Sequence, residues 1–206
     1  VIGALSEGKI NNYKDLITVD IGGTSCDIAL INDAQPLIRQ EGIIDKYMVR
    51  VPMVDVNAIG SGGGSIAWLD KAGGLKVGPH SAGSEPGPAC YGRGGVEPTV
   101  TDASLVLGLI DPEYFAGGRF HLDKDKAYNI ILEKVATPLS LSVEEAALGI
   151  HRVLNAQMAE GIRFVSIKQG FDPRDFVLMG LGGGGPLHAC ELASELNIQK
   201  VLVPRQ

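Results

Sequence analysis

The stretch LITVDIGGTSCDIALI, residues 16–31, decides the fold. Ile17, Val19 and Ile21 alternate with Thr18 and Asp20, the period-two signature of a strand with one buried face. Cys26, Ile28 and Leu30 then alternate with Asp27, Ala29 and Ile31. Gly22-Gly23 between two such runs predicts a tight hairpin, because glycine accepts positive φ without steric penalty. Its tip is glycine plus the hydroxyls of Thr24 and Ser25, bracketed by Asp20 and Asp27. Taken alone, the pattern fits an ordinary turn as well as a ligand-gripping one.

A second glycine cluster tilts that balance. Gly182 to Gly185 lie between a strand-like run, Phe176 to Leu181, and a helix-like run, Pro186 to Leu196. Glycine where a strand becomes a helix lets a ligand approach the backbone, and the helix start offers free N–H donors and a positive dipole end. Pro186 stands where a first helical residue is expected, since its missing N–H is no loss there. Two such turns predict a split site for an anionic ligand. No Gly-x-x-x-x-Gly-Lys-Ser/Thr run is present, so the loop is not of the Walker type. A phosphate beside Asp20 and Asp27 needs a cation between them, which predicts Mg²⁺ held largely through waters.

The chain has 206 residues, enough for one or two compact domains, and its 28 glycines fall in clusters between apolar segments rather than in low-complexity runs. A net charge of −6 without a lysine or arginine block argues against nucleic acid as a partner. No apolar run approaches the length that spans a membrane, and no signal peptide precedes the first segment. Cys26, Cys90 and Cys190 are odd in number and too widely spaced for a zinc motif, which favours reduced, buried thiols in a cytoplasmic protein.

Along the chain, residues 1–14 read as a helix tail and 35–42 as a third strand with Pro36 near its start, an edge position. Residues 43–140 carry most of the prolines and read as a helical and looped insertion without a core of its own. Helices are expected at 65–72, 101–110 and 123–136. Ser142 with Glu145 forms a capping box for a helix of about 25 residues that ends before Gly170. Strand 175–181, the glycine turn, helix 186–196 and strand 200–203 follow. This order of three strands, long helix, strand, helix, strand is that of an RNase H-like half-domain, as in the sugar kinase, heat-shock ATPase and actin group. The expected fold class is therefore α/β, with 1–42 and 141–206 forming the nucleotide-binding half and 43–140 inserted.

Five segments carry a more specific resemblance: VDIGGTSCDIALI (19–31), VDVNAIGSGGGSIAWLD (54–70), VGPHSAGSEPGPACYGRGGVEPTVTDA (77–103), GFDPRDFVLMGLGGGGPLHACELA (170–193) and KVLVPRQ (200–206). Together they resemble the A-type subunit of the hydantoinase/oxoprolinase family, which includes N-methylhydantoinase, 5-oxoprolinase and the acetone and acetophenone carboxylases. The resemblance implies ATP-dependent ring opening of a cyclic amide such as a hydantoin or 5-oxoproline, with ketone carboxylation as its close rival. A non-catalytic, actin-like nucleotide-binding module is the alternative from a different class. It also implies a further N-terminal half of the A subunit with an earlier phosphate loop, and a B-type subunit or domain as partner.

Position by position, the resemblance implies that Gly22, Gly23, Thr24 and Ser25 grip phosphate, that Asp20 and Asp27 face Mg²⁺ or its waters, and that Gly182, Gly183, Gly184 and Gly185 hold the adenosine of ATP. The run Gly60 to Ser65 is expected to open a helix and hold a second anion there. Many relatives have histidine at the position of Asn57, and an amide does not titrate in the useful range, so Asp55 becomes the polar actor of that segment beside Asn57. His80 and His188 read first as structural residues, and Arg93 is the one strong basic candidate in its turn to meet an anion.

Overall fold

The computed structural model describes residues 1–205, so Gln206, the last residue of the final motif, lies outside it. In chain order the elements are α1 (Ile2–Ile10), β1 (Leu16–Ile21), β2 (Cys26–Asn32), β3 (Gln35–Pro36), β4 (Ile38–Arg39), β5 (Gly42–Ile44), β6 (Tyr47–Val49), β7 (Met53–Val54) and β8 (Val56–Ile59). They continue with β9 (Ser65–Leu69), β10 (Leu75–Ser81), α2 (Val100–Val106), α3 (Lys124–Ile131), α4 (Thr137–Leu139), α5 (Val143–Lys168), β11 (Val177–Leu181), α6 (Gly185–Leu196) and β12 (Val201–Leu202). The chain divides into two compact units. One holds Val1–Ile21, Cys26–Ile59 and the chain from Ala159; the other holds the hairpin tip Gly22–Ser25 with Gly60–Met158.

The first unit is a mixed sheet in the order β12-β11-β1-β2-β3, with β8 also on β2. β1 and β2 form the expected antiparallel hairpin, from Leu16 opposite Ile31 to Ile21 opposite Cys26. β11 runs parallel to β1, and β12 parallel to β11. Register assigns the faces. Leu16, Ile31, Val177 and Met179 share a core with Ala4 of α1. On the opposite face, a Cβ on Gly161 of α5 would touch Ile28 and Ile59, and one on Gly180 would touch Ala189 of α6. The sheet is thus covered by α1 on one side and by α5 and α6 on the other.

The single strand expected over 35–42 is broken. β3 ends the sheet against β2, while β4 leaves it to pair with β7 in a separate ribbon. Pro36 has no N–H with which to extend a ladder, and it sits on the edge as its chemistry requires. The ribbon and β8 belong with the first unit as far as Ile59, beyond the boundary at 42 read from the sequence.

In the second unit, β9 and β10 form an antiparallel pair with Ala67 opposite Val77 and Leu69 opposite Leu75. The helix expected at 65–72 is therefore a strand and a turn. Ser65 and Ala67 are buried and Trp68 exposed, an alternation that pairing with β10 enforces over a helix-compatible composition. Asp70 closes the turn by accepting from Ala72 N–H and Gly74 N–H, both at 2.9 Å.

α2 and α3 fulfil the other two helix expectations, with α3 continuing through a wider-wound turn at Leu132–Ala136 into α4. Leu105 and Ala127, on these two helices, close a core with Cys90 and Leu122, ringed by Tyr91, Phe115 and Phe120. This segment has a core after all, because its aromatic residues, though few, converge on one place. At the start of α5, Ser142 N–H donates to Glu145 (2.8 Å) and Glu145 N–H to the Ser142 hydroxyl (3.1 Å), the capping box read from sequence.

Candidate functional site

In the first unit, the C-terminal ends of β1 and β11 lie side by side, with Asp20 opposite Leu181. Open α/β sheets bind ligands at such carboxyl ends. The glycine turn follows β11 immediately. Gly182 has φ +71°, a left-handed conformation that side chains resist, and a Cβ there would collide with the Asp20 carboxylate and lie 2.6 Å from the Ile21 carbonyl oxygen. The Gly184 N–H donates to that same carbonyl at 3.0 Å, which clamps the turn onto the end of β1. The N–H groups of Gly182 and Gly183 have no partner among the described residues. α6 then begins at Gly185, one residue before Pro186.

Asp20 pairs directly with Asp27 across the hairpin, so both carboxylates project from one face. Asp20 is exposed and Asp27 half-buried, and neither has an ion-pair partner among the described residues. Their charges and, above all, burial push the neighbouring Cys26 thiol up to about 12, so Cys26 is an inert, protonated wall of the hairpin. No group of three or more His, Cys, Asp or Glu able to hold a metal stands together among the described residues.

In the second unit, the hairpin tip is a four-residue turn in which Gly22 N–H donates to the Ser25 carbonyl at 3.0 Å. Neither Gly22 nor Gly23 has positive φ, so the reason expected for glycine there does not hold. Nor is either crowded, since a Cβ on Gly22 would meet only the Ser25 carbonyl oxygen at 3.7 Å; the tight position is the facing Gly62. A Cβ there would sit 2.8 Å from the Gly22 carbonyl oxygen and 2.9 Å from the N–H nitrogens of Thr24 and Ser25. Gly23 meets nothing within 4 Å. The N–H groups of Gly23, Thr24 and Ser25 donate to nothing among the described residues, and Gly23 and Thr24 are exposed. The tip therefore presents three consecutive free amides beside two hydroxyls, which is the donor set of an anion cradle.

The run Gly60–Ser65 behaves differently from its expectation. It opens a strand, not a helix, and the amides of its last four residues are already in use. Gly62 N–H donates to the Ser65 hydroxyl (2.9 Å), Gly63 N–H to the Gly22 carbonyl (3.0 Å), Gly64 N–H to the Gly23 carbonyl (2.6 Å) and Ser65 N–H to the Gly62 carbonyl (3.0 Å). It is a clasp on the hairpin tip rather than a second anion site.

Asp55 and Asn57 lie away from the acidic pair. Asn57 stands opposite Ile28 and shares its face, whereas Asp20 and Asp27 point to the other side of the sheet. Asp55 accepts from Gln169 at 2.9 Å, stands 3.5 Å from the Asn57 amide and 3.9 Å from Arg39. Arg93 lays its guanidinium over the Phe120 ring at 4.7 Å. His188 is buried in α6 and His80 is exposed on β10. Cys190 is exposed, contrary to expectation, because the buried stripe of α6 runs through Ala189, Leu192, Ala193 and Leu196. In the first unit, a groove of about 600 Å³ lies at the C-terminal ends of α5 and α6, where Arg163 is engaged by Glu160 and Glu195 and Arg174 by Asp172.

Sequence reasoning missed Thr101, whose N–H and hydroxyl both donate to the Gly63 carbonyl at 2.8 Å. It also missed Asp102, fully buried behind it. The spacing Thr99-x-x-Asp102 at the start of α2 is a readable capping signal, and both capping bonds are present.

Fold and site define an α/β protein that leaves backbone amides at two glycine turns without an acceptor among the described residues. The match to known proteins is direct: over residues 1–206 the chain fits the hydantoinase/oxoprolinase model, and it belongs to that family. The alpha subunit of caprolactamase from Pseudomonas jessenii is 49% identical over 191 residues, 93% of this chain and 27% of the relative. The acetophenone carboxylase gamma subunit of Aromatoleum aromaticum is 46% identical over 188 residues, 89% of this chain and 25% of the relative.

Among solved structures, the ATP-dependent caprolactamase of Pseudomonas jessenii superposes with a TM-score of 0.89 at 47% identity, covering 98% of this chain and 29% of that one. Nucleotide-free acetone carboxylase gives 0.88 at 34% identity, covering 98% and 29%. The chain thus spans between 25% and 30% of the length of these relatives. Among the described residues no helix is long and apolar enough to cross a membrane.

Proposed function

We propose that this chain is the nucleotide-binding part of an ATP-dependent enzyme that opens a cyclic amide such as a hydantoin or 5-oxoproline. The observation that carries the proposal is the hairpin tip: three consecutive amides, at Gly23, Thr24 and Ser25, that donate to nothing among the described residues. Such a tip suits the oxygens of a phosphate chain, and the hydroxyls of Thr24 and Ser25 add two further donors. The Gly182–Gly185 turn is assigned to the adenosine, since Gly182 and Gly183 leave their N–H groups free on an exposed surface. The topology supports reading the first unit as RNase H-like: antiparallel β1, β2 and β3, with β11 and β12 parallel to β1 and helices on both faces.

Asp20 and Asp27 fit Mg²⁺, which is ordinarily held by one or two carboxylates together with waters and phosphate oxygens. When bound, the ion neutralises charge on the phosphate oxygens. ATP, when bound, supplies the phosphoryl group that makes an amide carbonyl reactive towards water. Asp55, just before β8, and Asn57, on the far face, are assigned to holding β8 against the end of α5 through Gln169. A partner subunit of B type completes the enzyme, in keeping with relatives that are themselves subunits.

Ketone carboxylation is the second reading, favoured by the acetophenone and acetone carboxylase relatives. Phosphate release by the full protein with its partner separates the two. Stimulation by a cyclic amide supports the first, and stimulation only by a ketone with bicarbonate supports the second. Stimulation by neither, with ATP bound, favours a non-catalytic nucleotide-binding module.

A further inference from the structure

The segment from 77 to 103 is the longest of the family motifs, yet none of its side chains belongs to the acidic pair or to either amide turn. What it does is visible in the hydrogen bonds behind the hairpin tip. The carbonyls of Gly22 and Gly23 are held by the N–H groups of Gly63 and Gly64. The clasp is held in turn from behind. The Gly63 carbonyl accepts from Thr101 N–H and from the Thr101 hydroxyl, both at 2.8 Å, and the Gly64 carbonyl accepts from Ala82 N–H at 2.8 Å. Peptide groups in such a chain polarise one another, so each bond firms the next.

Thr101 is buried at the second position of α2, and Asp102 beside it fixes that helix start. One oxygen of Asp102 accepts from Cys90 N–H at 2.8 Å. The other accepts from Thr99 N–H at 2.9 Å, from the Thr99 hydroxyl at 2.8 Å and from Ala89 N–H at 3.3 Å. The Pro-Ala-Cys turn and the helix start are thereby locked together through one carboxylate that meets only neutral donors. Cys90, buried against it, is pushed above the ordinary thiol range by burial and by that charge.

We infer that Thr101 is a positioning residue for the phosphate-facing hairpin tip, acting through the Gly63 peptide, and that Asp102 and the 86–90 turn hold Thr101 in place. This rests on the nucleotide reading above. The clasp turns the tip carbonyls inward so that the tip amides stay free for the phosphates.

The test uses the full chain and a non-hydrolysable ATP analogue with Mg²⁺, alongside adenosine. Thr101→Val should bind the analogue about fivefold more weakly, the worth of one buried hydrogen bond, with adenosine affinity unchanged. Thr101→Ser, which keeps the hydroxyl, should restore it. Equal weakening for both ligands, or none for either while the unaltered chain binds ATP, overturns the inference. An unaltered chain that binds no nucleotide overturns the functional reading, and this inference with it. Should Thr101→Val not fold, amide exchange in the unaltered chain decides: Gly63 and Gly64 should exchange at least about tenfold more slowly than Gly23 and Thr24. Comparable rates overturn the proposal.

Discussion

In the run Gly60–Ser65 the N–H groups of four consecutive residues, Gly62 to Ser65, donate within the protein, whereas in Gly182–Gly185 those of Gly182 and Gly183 donate to nothing among the described residues. Burial follows the same division. Gly62 and Gly64 are buried, while Gly182 and Gly183 are exposed. Two stretches that look alike on paper therefore use glycine for opposite ends. One needs it so that backbone can pack against the Gly22–Ser25 turn, the other so that a strand can bend and leave its amides open. Glycine content marks close approach; only the fate of the amides says whether the neighbour is protein or ligand.

Substitutions break this comparison in graded steps. The largest effect is expected at the clasp's support, where Asp102→Ala leaves three buried amides and a hydroxyl without an acceptor and should lower stability by about 3 kcal/mol or more, read as a denaturant midpoint. Gly182→Ala combines a left-handed backbone with a collision against Asp20 and should lose about 2–4 kcal/mol in the same assay. By contrast, Gly183→Ala meets no atom within 4 Å and has ordinary φ, so stability should change by less than ~0.5 kcal/mol. Its nucleotide affinity should nonetheless fall about tenfold by calorimetry, because only a ligand comes close there. If that variant binds ATP unchanged, the open turn is structure and not site.

Gentler effects come from the thiols. The Cys26 thiol stands near 12 in the fold against an ordinary 9.0, so the unfolded chain loses this proton first as pH rises. Stability contributed by the neutral thiol is complete below about pH 9 and declines between 9 and 12, by up to ~1.4 kcal/mol per pH unit. Cys26→Ala should flatten that decline in pH-dependent unfolding. At neutral pH, iodoacetamide should modify Cys190 and spare Cys26 and Cys90, a difference that mass spectrometry reads directly.

What the sequence made legible was local. The hairpin 16–31, the capping box at Ser142 and the sequence strand, glycine turn, helix from 177 to 196 each announce themselves within a few residues, and each stands as expected. What stayed hidden depends on partners far along the chain. Ser65–Leu69 is a strand only because β10 pairs with it, and the clasp acts on carbonyls some 40 residues upstream of its own amides. Asn57 and Asp55 illustrate the same point for the site. Asp55 lies in the break between β7 and β8, and the face that Asn57 takes on β8 required the register with Ile28. Cys190 was readable from the helical stripe beside it, and its polarity of exposure follows from that period alone.

The most direct test of the account is an amide NMR titration of the full chain with Mg²⁺ and a non-hydrolysable ATP analogue. The account predicts shifts at Gly23, Thr24 and Ser25 and at Gly182 and Gly183, while Gly63 and Gly64 stay protected from exchange throughout. Silence at both free turns, or a response led by Gly60–Gly64, would contradict it.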